Sequence, residues 1–481
     1  MIHFGKRIEL LVDEYLIDEK KNLSFRLQIP KDCGCVIPFE KLWEGEGSIP
    51  MTVLADDENV KCYYRGFPTM GNDDTDKQTS CLSVSDDGLH FTPYPVNEIS
   101  YDGITENNIV RMDTFCHNFA PFYDINPNCK PDARYKAIGG IIQQGGIHVF
   151  ASPDGIHWHM LADGPVITKG AFDSMNMAFW SPADGLYHCY ARYCYIPGEE
   201  NGNRHAYNTV GNLRAIQSYT SEDFIHWTDP VPNEYAEGCP IDELYTNAAR
   251  PVPGAEHIMI SIPMRFHAYR QKVEYFDRNP WDNRGISDII LMTSRDGVHW
   301  DRSVKDAWLS GGVEEDSEWT QRNFITAGGI IERDDKFYFY VQKHYMWDDC
   351  GIWAYSVPKY RLMSLYADGD GGSFVTKPLH FESDTISLNY RTSAYGYIRV
   401  TVRDMDGTTL YTSDEIYGNE LSHTLIFEGL TGKEGTLLVE MKEANLYAIG
   451  AKMKSIINLG KRSAIKTGRL SLCSKLKGET Y

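Results

Sequence analysis

The chain has 481 residues, 42% hydrophobic and 12% aromatic, which is enough for a large core and an accessory unit. Its formal net charge of −20 argues against nucleic acid or an anionic membrane surface as a partner, because both require basic patches. The segment Met1 to Glu9 lacks a signal-peptide core, no apolar run is long enough to span a bilayer, and the odd total of 11 cysteines sits in strand-like contexts, so a cytoplasmic protein with reduced thiols is expected.

Along the chain, Cys33-Gly34-Cys35 is a close cysteine pair, but a single spacer is poor zinc geometry, and no metal or cofactor is expected. The first strand pair is Met51 to Leu54 and Val60 to Arg65, joined by an acidic turn at Asp56-Asp57-Glu58-Asn59. It is followed by the phrase Ser85-Asp86-Asp87-Gly88-Leu89-His90-Phe91. The same pattern, Ser-x-Asp-(Gly/Phe)-aliphatic-His-aromatic, returns at Ser152 to Trp158, Ser221 to Trp227 and Ser294 to Trp300, at intervals of 67, 69 and 73 residues.

Strand-like hairpins precede each copy, at Phe119 to Ile138, Met177 to Arg192 and Ala248 to Arg265. A fifth hairpin, Gly329 to His344, leads to a degraded phrase at Tyr355-Ser356-Val357. Repetition at this period with β-type sequence between copies predicts an all-β fold, a five-bladed β-propeller over residues 1–368. The phrase itself is expected to be structural, a Ser/Asp turn locked by side-chain-to-backbone hydrogen bonds. After Asp368-Gly369-Asp370 the strands shorten and alternate, which predicts a small C-terminal β-sandwich and basic tail over 369–481, with packing or self-association into a homo-oligomer as its role.

Hairpin geometry locates the chemistry. The start of the first strand and the end of the second lie at one rim, so polar residues at those positions face a common funnel. By blade these are Glu44, Glu46 and Arg65; Asp113, His117 and Asn118; Asp173, Asn176 and Arg192; Glu243, Tyr245, Asn247 and Arg265; and Arg322 and His344. Opposed carboxylates are the equipment of glycoside cleavage, and arginines match sugar carboxylates or phosphate. The predicted activity is therefore hydrolysis of a short oligosaccharide or glycoside, with an acidic sugar as one refinement. Phosphorolysis and non-catalytic carbohydrate binding are the alternatives.

The repeated phrase, the five units and the trailing sandwich resemble the five-bladed propeller glycosidases of families 32 and 43. Trp43-Glu44-Gly45, Tyr63-Tyr64-Arg65-Gly66, His117 to Phe122, Phe172-Asp173-Ser174 and Leu244-Tyr245-Thr246-Asn247 resemble a bacterial group of family 32-like glycosyl hydrolases over nearly the full length. The Trp-Met-Asn-Asp-Pro-Asn, Arg-Asp-Pro and Glu-Cys motifs of family 32 are absent, so fructosidase activity is not carried over. What the resemblance implies is a catalytic carboxylate trio from different blades, matched to Glu44, Asp173 and Glu243.

Overall fold

The computed structural model describes residues 1–68, 77–196, 213–273, 285–313 and 316–450. The basic tail lies outside the described residues. The structure is all-β, and its sheets follow the repeat. The first contains Ile49–Ala55, Val60–Gly66 and Thr79–Ser85 as an antiparallel meander, with Ile109–Met112 beside the third strand. The second contains Ala120–Tyr123, Tyr135–Gly139, His148–Ser152 and His159–Met160. The third contains Met177–Ser181, Leu186–Tyr195, Leu213–Ser221 and Val231–Pro232.

The fourth sheet is built on Arg250–Val252, Ala255–Ser261, Met292–Ser294 and His299–Asp301. A separate ribbon of Glu243–Leu244, Met264–His267 and Ile286–Ile289 accompanies it. The fifth runs through Ile325–Thr326, Lys336–Lys343 and Gly351–Pro358, and its outer strand is Lys31–Pro38, drawn from the region before the first sheet. That strand borrowed from early in the chain pairs Gly351 with Pro38 and Ser356 with Lys31.

Neighbouring sheets are tied by specific contacts. Asn118 Nδ2 donates to the Phe172 carbonyl at 2.8 Å, joining the second sheet to the third. Asn247 Nδ2 donates to Met175 and Tyr190 carbonyls at 3.0 and 3.2 Å, joining the fourth to the third. The Arg322 N–H donates to Ser287 Oγ at 3.0 Å, joining the fifth to the ribbon of the fourth. The last sheet meets the first through a parallel bridge, Thr52 with Gly328, where Val53 N–H donates to the Gly328 carbonyl at 2.9 Å.

The repeated phrase forms the same turn four times. In the second sheet the Gly155 N–H donates to Ser152 Oγ at 2.9 Å, and the Ile156 and His157 N–H groups donate to Asp154 Oδ1 at 2.8 and 2.9 Å. The Trp158 indole closes the turn on the Gly155 carbonyl at 3.1 Å. Every partner lies within a few residues, which is why the turn is legible in sequence.

Eleven further strands form one sheet. Its two long members, Thr385–Arg403 and Glu434–Gly450, pair antiparallel, with bulges where the register shifts after Asn389 and after Thr392. Alternation places Ile386, Leu388, Ile398, Val400 and Val402 in a core separate from that of the five repeat sheets. The sequence division at residue 368 is corrected here. Ile2–Phe4, Ile8–Leu10, Ile17–Lys21 and Ser24–Leu27 all pair with C-terminal strands rather than with the repeat. Ile8, Leu10 and Val12 nevertheless pack into the same core as Met177, Ile260 and Phe339, so this segment bridges the two units.

All cysteines among the described residues are free thiols, and none of the described helices is long and apolar enough to cross a membrane.

Candidate functional site

One cavity of about 180 Å³ receives side chains from all five hairpins. The antiparallel register explains how. Ile49 opens the first strand opposite Arg65 at the end of the second, and Phe67 follows it. His117 and Asn118 lead into the second sheet, Asp173 to Met175 into the third, and Tyr245 and Thr246 into the fourth. Arg322, Ile325 and Tyr345 bracket the fifth hairpin, in which Ile325 pairs with Gln342.

Charged and polar groups are tightly coupled here. The Asp173 carboxylate forms an ion pair with Arg192, which is 2% exposed and stands behind the lining. Arg65 lies 3.2 Å from both ring nitrogens of His117, and His117 Nε2 is 3.3 Å from the Asp173 carbonyl. The Tyr245 ring is faced by Arg214 at 4.7 Å, Arg192 at 5.2 Å and Arg322 at 5.9 Å. Burial pushes the Tyr345 phenol up, while the guanidinium charges of Arg322 and Arg65 pull against that shift.

Backbone strain concentrates at this rim. Asn118 and Arg322 have φ of +62° and +59°, and Phe324, His344 and Met346 close by have φ of +64°, +58° and +70°. Side chains other than glycine adopt this region at a cost, and such residues cluster where function fixes geometry.

Of the residues expected from sequence, Arg65, His117, Asn118, Asp173, Tyr245 and Arg322 line the cavity, and Arg192 supports it. The others do not line it. Glu44 is turned into the wall of the first sheet, where Oε1 accepts from the Tyr64 hydroxyl and Oε2 from the Lys41 N–H, both at 2.8 Å. Burial pushes its carboxyl above the usual range, against those hydrogen bonds. Glu46 is half-buried, and its carbonyl accepts from Met346 N–H at 2.9 Å. Asp113 caps the short helix Thr114–Cys116 and pairs with Arg111 at 2.6 Å.

Glu243 is held at 2.6 Å by Arg214 and so stands behind Tyr245. Arg265 forks onto Asp288 at 2.8 and 2.6 Å, within a network that includes Asp242 and Arg302. Asn176 donates to the Phe172 carbonyl at 3.1 Å, and Asn247 bridges sheets as described above. His344 pairs with Asp349 at 2.8 Å and packs on Trp353. Apart from Glu46, for which only the backbone contact is described, the side chains of these residues are engaged by an adjoining charge, carbonyl, hydroxyl or N–H instead of facing the cavity.

Sequence reasoning missed Phe67, Ser174, Thr246 and Tyr345, each within two positions of a residue it chose, and the apolar Ile49, Met175 and Ile325. It also missed Arg214. The third strand of a meander returns to the rim where the second ends, so the start of Leu213–Ser221 was a third position to consider. Among the described residues, no cluster of His, Cys, Asp and Glu has the geometry of a metal site.

No family model matches the chain, and no curated protein matches it. Solved structures similar to it include one described as a glycoside hydrolase, at 12% identity over 68% of this chain and 92% of that one, with a TM-score of 0.44. A β-1,2-mannobiose phosphorylase from Listeria innocua matches at 11% identity over 69% and 98%, with a TM-score of 0.42. A GH32 β-fructofuranosidase from Bombyx mori matches at 9% identity over 90% and 94%, with a TM-score of 0.35.

Proposed function

We propose that the five sheets are the blades of a β-propeller, that the eleven-stranded unit folds over itself as a sandwich, and that the protein cleaves a glycosidic bond in the central cavity. The observation that carries this reading is convergence. Five segments spread from Ile49 to Tyr345 each contribute to one small polar cavity that holds a carboxylate, Asp173. A volume of about 180 Å³ is below the ~300–1,000 Å³ of typical ligand clefts, which suits one sugar unit rather than a long chain.

In this reading the Asp173 carboxylate, paired with Arg192, takes the proton of an attacking water. The oxygen released when the anomeric C–O bond breaks receives its proton from the Tyr245 hydroxyl. Ser174 Oγ, donating to the Tyr245 carbonyl at 3.0 Å, ties the two segments together. Glu243 acts through Arg214, as a positioning residue.

Turnover of aryl glycosides and uronic-acid oligosaccharides by wild type and Asp173→Asn is the test. The substitution is expected to lower kcat by roughly 10²- to 10⁴-fold. Unaltered turnover would remove Asp173 from the reaction.

Phosphorolysis is a second reading, favoured by the arginines around the cavity. There phosphate, not water, attacks the anomeric carbon. Product formation that requires inorganic phosphate distinguishes it from hydrolysis.

A further inference from the structure

We infer that a small monovalent anion of the chloride class is bound beside Arg250, deeper than the cavity, where the leading segments of four sheets meet. Such a site does not depend on the glycosidic reading above.

The first support is the isolation of this charge. A guanidinium carries five N–H donors, yet the only oxygen partner of Arg250 among the described residues is the Ala178 carbonyl, which accepts from Nη1 at 2.5 Å. Nη2 faces the Met177 sulfur at 3.8 Å, and the Phe179 ring lies at 5.3 Å. Other buried arginines are compensated: Arg192 meets Asp173, Arg302 meets Asp242, and Arg361 donates to four oxygens. Burial lowers the pKa of Arg250 to about 10 with no neighbouring charge contributing, which leaves it cationic at neutral pH. A buried cation without a counter-charge is strongly destabilising, and an anion beside it removes that cost.

The second support is convergence. Arg250 opens the first strand of the fourth sheet, and Met177 and Ala178 open that of the third. Gly328, beside Ile325–Thr326 of the fifth sheet, points to the same place, since a Cβ there would collide with Met177 Sδ and meet Arg250 Nη2 at 3.1 Å. Thr52 of the first sheet pairs with Gly328 across the parallel bridge. Thr52, Met177, Arg250 and Gly328 follow the lining residues Ile49, Met175, Thr246 and Ile325 by two to four positions, which sets them further along the segments that lead in from the cavity.

The third is Thr52. It is fully buried, and its Oγ1 has no hydrogen-bond partner among the described residues. Paired residues of a bridge present their side chains to one face, so this hydroxyl lies on the side to which Gly328 points, with Arg250. Thr326 Oγ1, two residues before Gly328, is likewise buried without a partner. Hydroxyls can donate, and a fixed cation among them excludes a metal ion as the occupant. Enclosure by Thr52 and Met177, both fully buried, selects a small ion over a phosphate or a sugar.

Thermal unfolding of the full chain in chloride and in methanesulfonate at equal ionic strength tests this. The midpoint is expected to rise by at least about 2 °C between about 1 and about 100 mM chloride, and not in methanesulfonate, whose anion is too large for the site. Arg250→Met is expected to abolish that rise, and the isosteric Thr52→Val to increase the chloride concentration needed for it roughly 3- to 10-fold. Crystals of the wild type grown in bromide are expected to show an anomalous scattering peak beside the Arg250 guanidinium, a result that decides the matter even if Arg250→Met does not fold. No bromide peak at Arg250 overturns the site. Equal midpoints in the two salts, or a chloride effect that persists in Arg250→Met, overturn it as well and leave glycosidic cleavage standing.

Discussion

The Tyr63 hydroxyl of the first sheet donates to the Gly155 carbonyl in the turn of the second at 3.0 Å. The same latch runs from Tyr190 of the third sheet to Gly297 of the fourth at 2.9 Å, and from Tyr340 of the fifth to Gly88 of the first at 2.8 Å. Between the second and third sheets it is replaced. Register puts Ile138 where Tyr63 and Tyr190 stand, and Phe224 takes the place of the turn glycine at φ of +71°. Both are fully buried in one core, so loss of the tyrosine and gain of the phenylalanine occur together.

The latch explains why these turn glycines resist substitution. A Cβ on Gly297 would meet the Tyr190 hydroxyl at 2.6 Å, and one on Gly155 would collide with the Tyr63 hydroxyl, in backbones with φ near +80°. Gly155→Ala is expected to destabilise by about 2–3 kcal/mol, from left-handed strain plus the displaced hydroxyl. Chemical denaturation is the measurement, and Tyr63→Phe paired with Gly155→Ala should recover part of the loss. No loss on Gly155→Ala would show that the latch carries no energy.

Glu9 ties the bridging N-terminal segment to the fourth sheet. Burial alone would raise its pKa, but His257 at 3.3 Å and Arg295 at 2.8 Å outweigh burial and hold it at about 2. A depressed carboxyl stabilises the fold above its unfolded pKa of about 4.3 and loses that contribution as pH falls through about 2. Glu9→Gln is therefore expected to cost roughly 3 kcal/mol at pH 7, with the gap to wild type closing between pH 4 and 2. A gap that does not vary over that range would refute the assignment.

Arg265 separates stability from chemistry. Its fork onto Asp288 and the nearby Asp242–Arg302 pair lie in the wall, off the cavity. Arg265→Met leaves Asp288 as a partly buried charge without its fork, with an expected cost of about 2–4 kcal/mol. Ligand affinity measured well below the unfolding temperature should remain within about twofold. A selective loss of binding would return Arg265 to the site.

Glu243 contrasts with Asp173. Because Glu243 reaches Tyr245, the proton donor of the proposed reaction, only through Arg214, Glu243→Gln is expected to lower kcat about tenfold. Asp173→Asn should lower it roughly 10²- to 10⁴-fold. An equal loss for Glu243→Gln would mark it as a reacting group.

Much of this arrangement was legible before folding. The rim rule, first-strand start and second-strand end, found Arg65, His117, Asn118, Asp173, Tyr245 and Arg322 because antiparallel pairing alone dictates it. It failed to tell lining from wall. Glu44 and Asp173 are both acidic residues ahead of a first strand, yet Tyr64 and the Lys41 N–H turn one inward while Arg192 holds the other at the cavity. That choice depends on partners from other strands and, for Asn118, from another sheet.

The turns and their repetition are set locally, since the side-chain hydrogen bonds of Ser152, Asp154 and Trp158 stay within the phrase and only His157 reaches outside it, to Glu98 at 3.1 Å. Local hydrogen bonds need no tertiary context, so composition and spacing suffice. Only the packing of distant segments settles that the strands within Ile2–Leu27 join those from Met363 onward, that Lys31–Pro38 completes the last sheet, and which rim charges face inward. Those outcomes follow from burial and charge pairing between segments hundreds of residues apart, a competition that no short stretch of sequence contains.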